Sequence, residues 1–416
     1  MIKSITEEIK RLLVNFFSLA VIRGSTMILP LITLPYLVRV LGAENFGLLS
    51  FSLAIIMYFN IFVSFGFELS ATREISIYRD NMEKVSEIFS SVMIIKSIFL
   101  LLSLFLLSIV VMVFDSVKLN ATLYFVTFGV VVGNALFPVW FFQGMEKMKY
   151  ITYFTISAKI FYTLFIFVLV HEKSDYIYVP LLNSIGLIVS GIVSIWIILK
   201  YHPVYFFFPS VTTIIHHVKD SSQFFLSRVA NQGSKYYATM IIGLYFGNTI
   251  VGYYSMIQKL LQAFGSLGGI VAQTIYPYMS KTKNIVMYKK IFMIVVSISI
   301  IIWISILYLH NLIIDLVFHL QNEMMSNMFL IMFSGAIFGI ISALIGYPLL
   351  AAMGYTKYAN NSLIIASVIN VVYITLVVLY TRDIYLATAS SVLFTLLTVI
   401  IRYYYIKKTR VLSEGE

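Results

Sequence analysis

The chain has 416 residues, 60% hydrophobic and 11% charged, with no cysteine and a formal net charge of +11. A soluble domain carries about 25% charged residues, so this composition excludes a soluble enzyme, a nucleic-acid binder and a disordered chain. What remains is an integral membrane protein whose positive balance reads as basic cytoplasmic loops, and the lack of cysteine excludes disulfides and thiolate sites.

Taken in chain order, the first apolar stretch follows Glu7 and Glu8 and contains Arg23, which is unlike a cleavable leader. Apolar runs of about 20 residues predict a transmembrane helix each. Twelve occur, near 12–40, 47–67, 90–113, 120–142, 151–170, 178–199, 224–246, 253–276, 290–310, 325–350, 359–380 and 384–404. The first, seventh and eighth depart most from plain apolar spans, because they carry internal charges. The predicted fold class is therefore all-α, an integral membrane protein with about twelve transmembrane helices.

The distribution of Lys and Arg predicts orientation. With the N-terminus inside, 19 of the 29 fall in inside segments, 4 in outside segments and 6 within spans. Both termini are thus expected in the cytoplasm. The outer loops are short, the longest running from about His310 to Met324, whereas the inner segments Glu68 to Phe89 and Lys200 to Gln223 are longer. The second falls midway along the chain, contains Pro203 and Pro209, and reads as an amphipathic linker on the inner membrane surface. The expected organisation is a six-helix bundle over 1–199, the linker over 200–223, a second six-helix bundle over 224–404 and a cytoplasmic tail over 405–416.

The two halves echo one another. Gly42, Gly47 and Ser50 recur as Gly247, Gly252 and Ser255, and Arg23 recurs as Arg228, all at an offset of 205. Later, Met145, Lys147, Lys149 and Tyr150 resemble Met353, Tyr355, Lys357 and Tyr358 at an offset of 208. Six helices per half is an even number, so both halves enter from the same side. The repeat is parallel, with a pseudo-two-fold axis along the membrane normal, and favours a transporter.

Arg23, Lys96, Lys159, Arg228, Lys235 and Lys259 lie inside predicted spans, where a cation costs about 2.5–3.5 kcal/mol at mid-bilayer. No Asp or Glu lies deep in any span; Glu68, at the inner end of the second, is the nearest. Uncompensated cations imply a water-filled cavity, an anionic ligand or snorkelling. Lys96 and Lys259 are near helix ends and are expected to snorkel. Arg23, Lys159 and Lys235 are near mid-span and are expected to line a cavity, with Arg228 intermediate and on the same helix face as Lys235. His216 and His217 are adjacent, but nothing nearby completes a metal site. Gly268, Gly269 and several prolines can bend helices, although both residue types are common in membrane helices.

The segment Leu34-Pro35-Tyr36-Leu37-Val38-Arg39-Val40-Leu41-Gly42, followed by Asn45-Phe46-Gly47, Phe65-Gly66-Phe67 and Ser70-Ala71-Thr72-Arg73-Glu74-Ile75, resembles the Wzx-type O-antigen and polysaccharide flippases. These belong to the multidrug/oligosaccharidyl-lipid/polysaccharide exporter superfamily. The motifs cover the first two helices and the following loop; length, span number and two-half pattern agree over the whole chain. The resemblance implies two six-helix bundles around a cationic central cavity and alternating access. It implies a bacterial inner-membrane protein that moves an undecaprenyl-pyrophosphate-linked oligosaccharide from the cytoplasmic to the periplasmic leaflet. The residues matched to that cavity by type and helix position are Arg23, Lys159, Arg228 and Lys235. Lys96, Lys259, Arg73 and Glu68 are secondary candidates, with Arg73 and Glu74 fitting an inter-helix or headgroup contact. It implies membrane lipid, a polysaccharide polymerase and a chain-length regulator as partners, no cofactor, and a coupling ion, proton or sodium, that the residues leave open.

Two other readings compete. A drug or cation antiporter of the same superfamily is expected to carry buried acids, which are lacking here. A membrane polysaccharide polymerase or glycosyltransferase is expected to carry a large outer loop with catalytic residues, and the outer loops here are short. The sequence therefore reads as a transporter and not an enzyme.

Overall fold

The computed structural model describes the backbone of residues 2–319 and 322–411, and the side chains of those from 29 onward except at 116, 223, 226, 227, 230 and 231. Every regular element in the described residues is helical. α1 spans Ile2–Ser64 and breaks at Gly42; α2 spans Phe67–Tyr78, α3 Met82–Val113, α4 Asp115–Lys118, α5 Ala121–Leu136, α6 Val139–Gly144, α7 Met148–Leu169 and α8 Tyr178–Tyr201. An extended strap over 202–210 leads to α9, Val211–Arg228, which passes through a π turn at Val229–Gly233 into α10, Ser234–Phe246. Then come α11 Asn248–Thr282, α12 Ile285–Tyr308, α13 His310–Phe318, α14 Glu323–Ser334, α15 Ala336–Ile345, a π turn at Gly346–Ala351, α16 Thr356–Tyr380 and α17 Ile384–Thr409.

Nine stretches among the described residues are long and apolar enough to cross a membrane. They account for nine of the twelve expected spans. The other three are the first, seventh and eighth, which carry Arg23, Arg228 with Lys235, and Lys259; the third and fifth keep the apolar pattern despite Lys96 and Lys159. Of the three, the first lies largely where side chains are not described. The seventh falls on the α9–α10 pair and the eighth on α11. The chain is an all-α multi-pass membrane protein.

Three segments between the expected spans are helical. The stretch after the second span forms α2 and the start of α3, whose first turn is capped by the Asn81 side chain accepting from the Lys84 N–H at 3.0 Å. The second half of the expected linker forms most of α9. The longest outer loop also contains a helix, α13.

The internal repeat is visible in backbone geometry. Gly42 and Gly247, 205 apart, have φ/ψ of 77/169° and 84/173°, a conformation that favours glycine. The later echo is closer still. Before α7, the amides of Met145, Glu146, Lys147 and Tyr150 bond to the carbonyls of Phe141, Gln143, Phe142 and Lys147. Before α16, the amides of Met353, Gly354, Tyr355 and Tyr358 bond to those of Leu349, Ala351, Leu350 and Tyr355. Each bond is its counterpart moved by 208 residues. Glu146 holds a left-handed φ of 57° where the second copy has Gly354 at 93°.

The chain divides into two compact units, one formed by Val40–Met240 and the other by residues up to Arg39 with those from Ile241 onward. In the first, α5 and α8 pack through glycines: a Cβ on Gly133 would lie 2.5 Å from Leu187 Cβ, and one on Gly129 2.6 Å from Ser184 Cβ. Small residues are what let membrane helices approach this closely. The core at its basic end gathers Phe67, Ile75, Phe89, Trp140, Phe141 and Phe142. In the second unit the corresponding core gathers Met279, Tyr288, Leu349, Leu350, Ala359 and Ile406.

Candidate functional site: a polar seam and a buried lysine

Helix α1 ends at Phe65 and Gly66, both at positive φ, 40° and 84°. The chain turns there and α2 leaves in a new direction. Gly66 is required twice over: its φ favours glycine, and a Cβ would lie 2.8 Å from Phe224 Cβ and 3.0 Å from the Ser221 carbonyl. This close approach seats α2 on α9.

The two helices then pair side chain by side chain. Arg228 forms an ion pair with Glu68. The Ser70 and Ser221 hydroxyls are 2.7 Å apart. Arg73 Nη2 donates to both Asp220 oxygens, at 3.0 and 2.9 Å. His217 Nδ1 lies 3.1 Å from Glu74 Oε2. Partner numbers fall on α9 as they rise on α2, so the helices run antiparallel. α2 also meets α6: Thr72 Oγ1 bonds to the Glu68 carbonyl of its own helix at 2.7 Å and to the Trp140 carbonyl of α6 at 3.3 Å, and just beyond the two helices Arg79 pairs with Glu146 at 2.7 Å. The motif Ser70 to Ile75 is thus the strip by which α2 grips both neighbours. His202, which caps α8 beside this region, has its pKa pushed down by burial and then by Lys147.

Behind the seam lies Lys96 of α3. It is buried, 5% exposed, and its Nζ donates to the Asn134 carbonyl at 3.1 Å. The Asn134 side chain donates to Asn60 Oδ1 at 3.0 Å. Glu68 and Arg228 are both near enough to act on Lys96 electrostatically. Near the turn at Phe65–Gly66 aromatic rings cluster: Phe62 and Phe65 lie 4.8 and 5.0 Å from Phe99, and Phe65 stacks on Phe225 at 4.7 Å. The Tyr58 hydroxyl donates to the Gly233 carbonyl at 2.8 Å, closing the π turn that follows Arg228.

The structure corrects two expectations. Lys96 does not snorkel; a carbonyl and an asparagine pair in the interior give it a partner that the helix end does not. Arg228 is not without an acid, because the break at Phe65–Gly66 turns Glu68 towards it. Of the other candidates, Arg73 is in the seam, Lys159 on α7 is half-buried and Lys235 on α10 is exposed. Lys259 is exposed on α11, in the other unit, and the Arg23 side chain lies outside the described residues.

Sequence reasoning missed Asn60, Asn134, Asp220 and the buried Arg402. Arg402 is 3% exposed in α17. It donates to the carbonyl and hydroxyl of Ser342, to Ser362 Oγ at 2.9 Å and to the Ala359 carbonyl at 3.2 Å. Gly346 leaves room for it, since a Cβ there would lie 2.5 Å from Nη1. Among the described residues no group of three or more His, Cys, Asp or Glu gathers as a metal site would.

Residues 12–283, which include the whole seam and Lys96, match the family described as "Polysaccharide biosynthesis protein". The chain belongs to that family. It is 32% identical over 286 residues to a protein of Escherichia coli K12 named "Putative O-antigen transporter", an alignment covering 66% of this chain and 68% of the relative. A protein of the same name from Shigella dysenteriae is 31% identical over 274 residues, covering 65% of this chain and 68% of that one. Among solved structures the fold is similar to that of the lipid II flippase MurJ in an inward closed conformation, with a TM-score of 0.77 at 14% identity, over 96% of this chain and 90% of that one. It is also similar to an inward-facing MATE family multidrug transporter of the MOP superfamily, with a TM-score of 0.71 at 12% identity, over 95% and 99%. The family and these folds bear out the class read from the motifs: an all-α transporter fold of twelve helices in two bundles.

Proposed function

We propose that this protein is a flippase that carries an undecaprenyl-pyrophosphate-linked oligosaccharide repeat unit, of the O-antigen type, from the cytoplasmic to the periplasmic leaflet of the bacterial inner membrane. The observation that carries the reading is the 32% identity to the Escherichia coli protein across two-thirds of both chains. The physics supports it. A glycan-diphosphate headgroup cannot cross a hydrocarbon layer of about 30 Å without a polar route, and a diphosphate pairs well with Arg and Lys. Arg23, Lys159, Arg228 and Lys235 supply those cations, with Lys96, Lys259, Arg73 and Glu68 beside the path. The polyprenyl tail stays in lipid while the headgroup passes.

In this reading the protein makes and breaks no covalent bond. Two six-helix halves, 1–199 and 224–404, alternate in access about the segment 200–223, both termini face the cytoplasm, and a polymerase and chain-length regulator take the product on. The coupling is a proton or sodium gradient, the membrane potential acting on a positive path, or downstream removal of product.

The test is complementation in a strain that lacks its own O-antigen flippase and makes the matching repeat unit. Wild type restores surface polysaccharide, and the alanine variants of Arg23, Lys159, Arg228 and Lys235 lose it at equal membrane abundance. No restoration by well-expressed wild type overturns the reading; full activity in all four variants keeps it and overturns the cationic path.

A further inference from the structure

The group at Glu68 has an imbalance that neither fold nor seam requires. Arg228 and Lys96 carry two positive charges, Glu68 carries one negative charge, and the carboxylate is spent on Arg228. Among the described residues Lys96 makes no ion pair, only a hydrogen bond to a neutral carbonyl. A buried lysine, 5% exposed, whose hydrogen bond goes to a carbonyl retains an unmet preference for an anion. Glu68 is the reverse: its side chain is 44% exposed, so it can leave. Arg228 sits at the junction of α9 with a π turn, a feature that lets a helix shift register locally and that recurs at functional sites.

From this we infer that Glu68 occupies the place of the substrate's anion, and that a diphosphate displaces it to bind Arg228 and Lys96 together. The chemistry matches at each atom. A guanidinium pairs with a carboxylate or a phosphate by the same fork, so the Glu68 carboxylate and a phosphoryl group are alternatives at Arg228. The ammonium of Lys96 takes the second phosphate as a point charge. Displacing Glu68 frees the end of the α2–α9 seam nearest the turn at Gly66, so binding at this site loosens one pair of the seam. Glu68 thereby sets selectivity: a neutral or cationic lipid cannot replace it, because Arg228, half-buried, would be left without a counter-charge. This inference rests on the flippase reading and adds to it the residue that tells a diphosphate lipid from others.

The experiment measures binding of farnesyl diphosphate to the purified full-length protein in detergent, with farnesol and inorganic diphosphate as comparison ligands. Wild type binds farnesyl diphosphate and not farnesol. Glu68→Gln, which removes the competing charge and keeps the shape, tightens binding about tenfold. Arg228→Gln and Lys96→Gln each weaken it by a similar factor, and inorganic diphosphate gives the same order. Thermal unfolding checks that each variant is folded; Glu68→Asp, which keeps the charge, stays near wild type, and Glu68→Ala, which also removes it, replaces Glu68→Gln if that variant is unstable. Equal or weaker binding in Glu68→Gln, unchanged binding in Lys96→Gln, or the same order with farnesol overturns the inference. Such a result with complementation by wild type intact leaves the flippase reading standing; failure of wild-type complementation is what overturns that reading.

Discussion

The two units hold their basic ends in different ways. In the unit of Val40–Met240, the long helix breaks at Phe65–Gly66 and its extension α2 is fastened to α9 by a row of polar pairs, several of them open to water. In the other unit, α11 is the repeat partner of that broken helix, starting after Gly247 as the other does after Gly42. It runs from Asn248 to Thr282 without a break. There the tightening element is Arg402, buried and bonded to α15 and α16. Exposed ion pairs are worth about 0–1 kcal/mol each and exchange readily with water and salt, whereas a buried arginine saturated with acceptors is costly to remove. One unit thus relies at this place largely on partly exposed pairs and the other on a buried arginine.

Four substitutions break or sharpen that contrast. The largest effect is expected for Arg402→Leu, which removes the four hydrogen bonds that the buried guanidinium gives to Ser342, Ser362 and Ala359. Stability falls by about 3 kcal/mol or more, read as lost membrane abundance and a lower unfolding temperature in detergent. Next, because the chain has no cysteine, the Ser70→Cys/Ser221→Cys double variant can report on the seam alone. With hydroxyls 2.7 Å apart in the native pair, oxidation joins α2 to α9. Restoration of surface polysaccharide then falls on oxidation and returns with reductant; unchanged restoration in the oxidised protein shows that the seam stays shut throughout transport. Third, Gly66→Ala strains a positive φ and pushes on Phe224, costing about 2 kcal/mol, with faster proteolysis at the strap over 202–210 as the second readout. The smallest effect belongs to Arg73→Ala. It loses an exposed pair worth less than about 1 kcal/mol, the loss shrinks at high salt, and the Arg73→Asp/Asp220→Arg double variant recovers it.

The contrast also marks what a sequence makes legible. Apolar runs near 20 residues placed the spans, because the bilayer fixes that length whatever the helices pack against. The repeat was legible at Gly42 and Gly247, because a positive φ needs glycine in both copies. The spans that fell outside the plain apolar pattern all carry cations, but Lys96 and Lys159 lie in spans that kept it. What was not legible were the partners. Glu68 and Arg228 are 160 residues apart, and only the turn at Gly66 brings them together. Arg402 and Lys96 both read as cations at helix ends, free to reach water. Whether such a side chain turns outward or inward depends on acceptors supplied by other helices, and Ser342, Ser362 and Asn134 carry no signal of that role in their own spacing.

The most direct measurement is transport in vesicles. The protein is reconstituted into liposomes with a fluorescent undecaprenyl-pyrophosphate oligosaccharide, and the fraction of glycan reached by an external membrane-impermeant glycosidase is followed in time. The account predicts that accessible glycan rises from about half, the share in one leaflet of a symmetric bilayer, towards completion in vesicles with the protein. It predicts no such rise in protein-free vesicles or with Arg228→Ala. Glycan that stays half-accessible in vesicles holding folded wild-type protein, with and without a membrane potential and proton or sodium gradients, would contradict it.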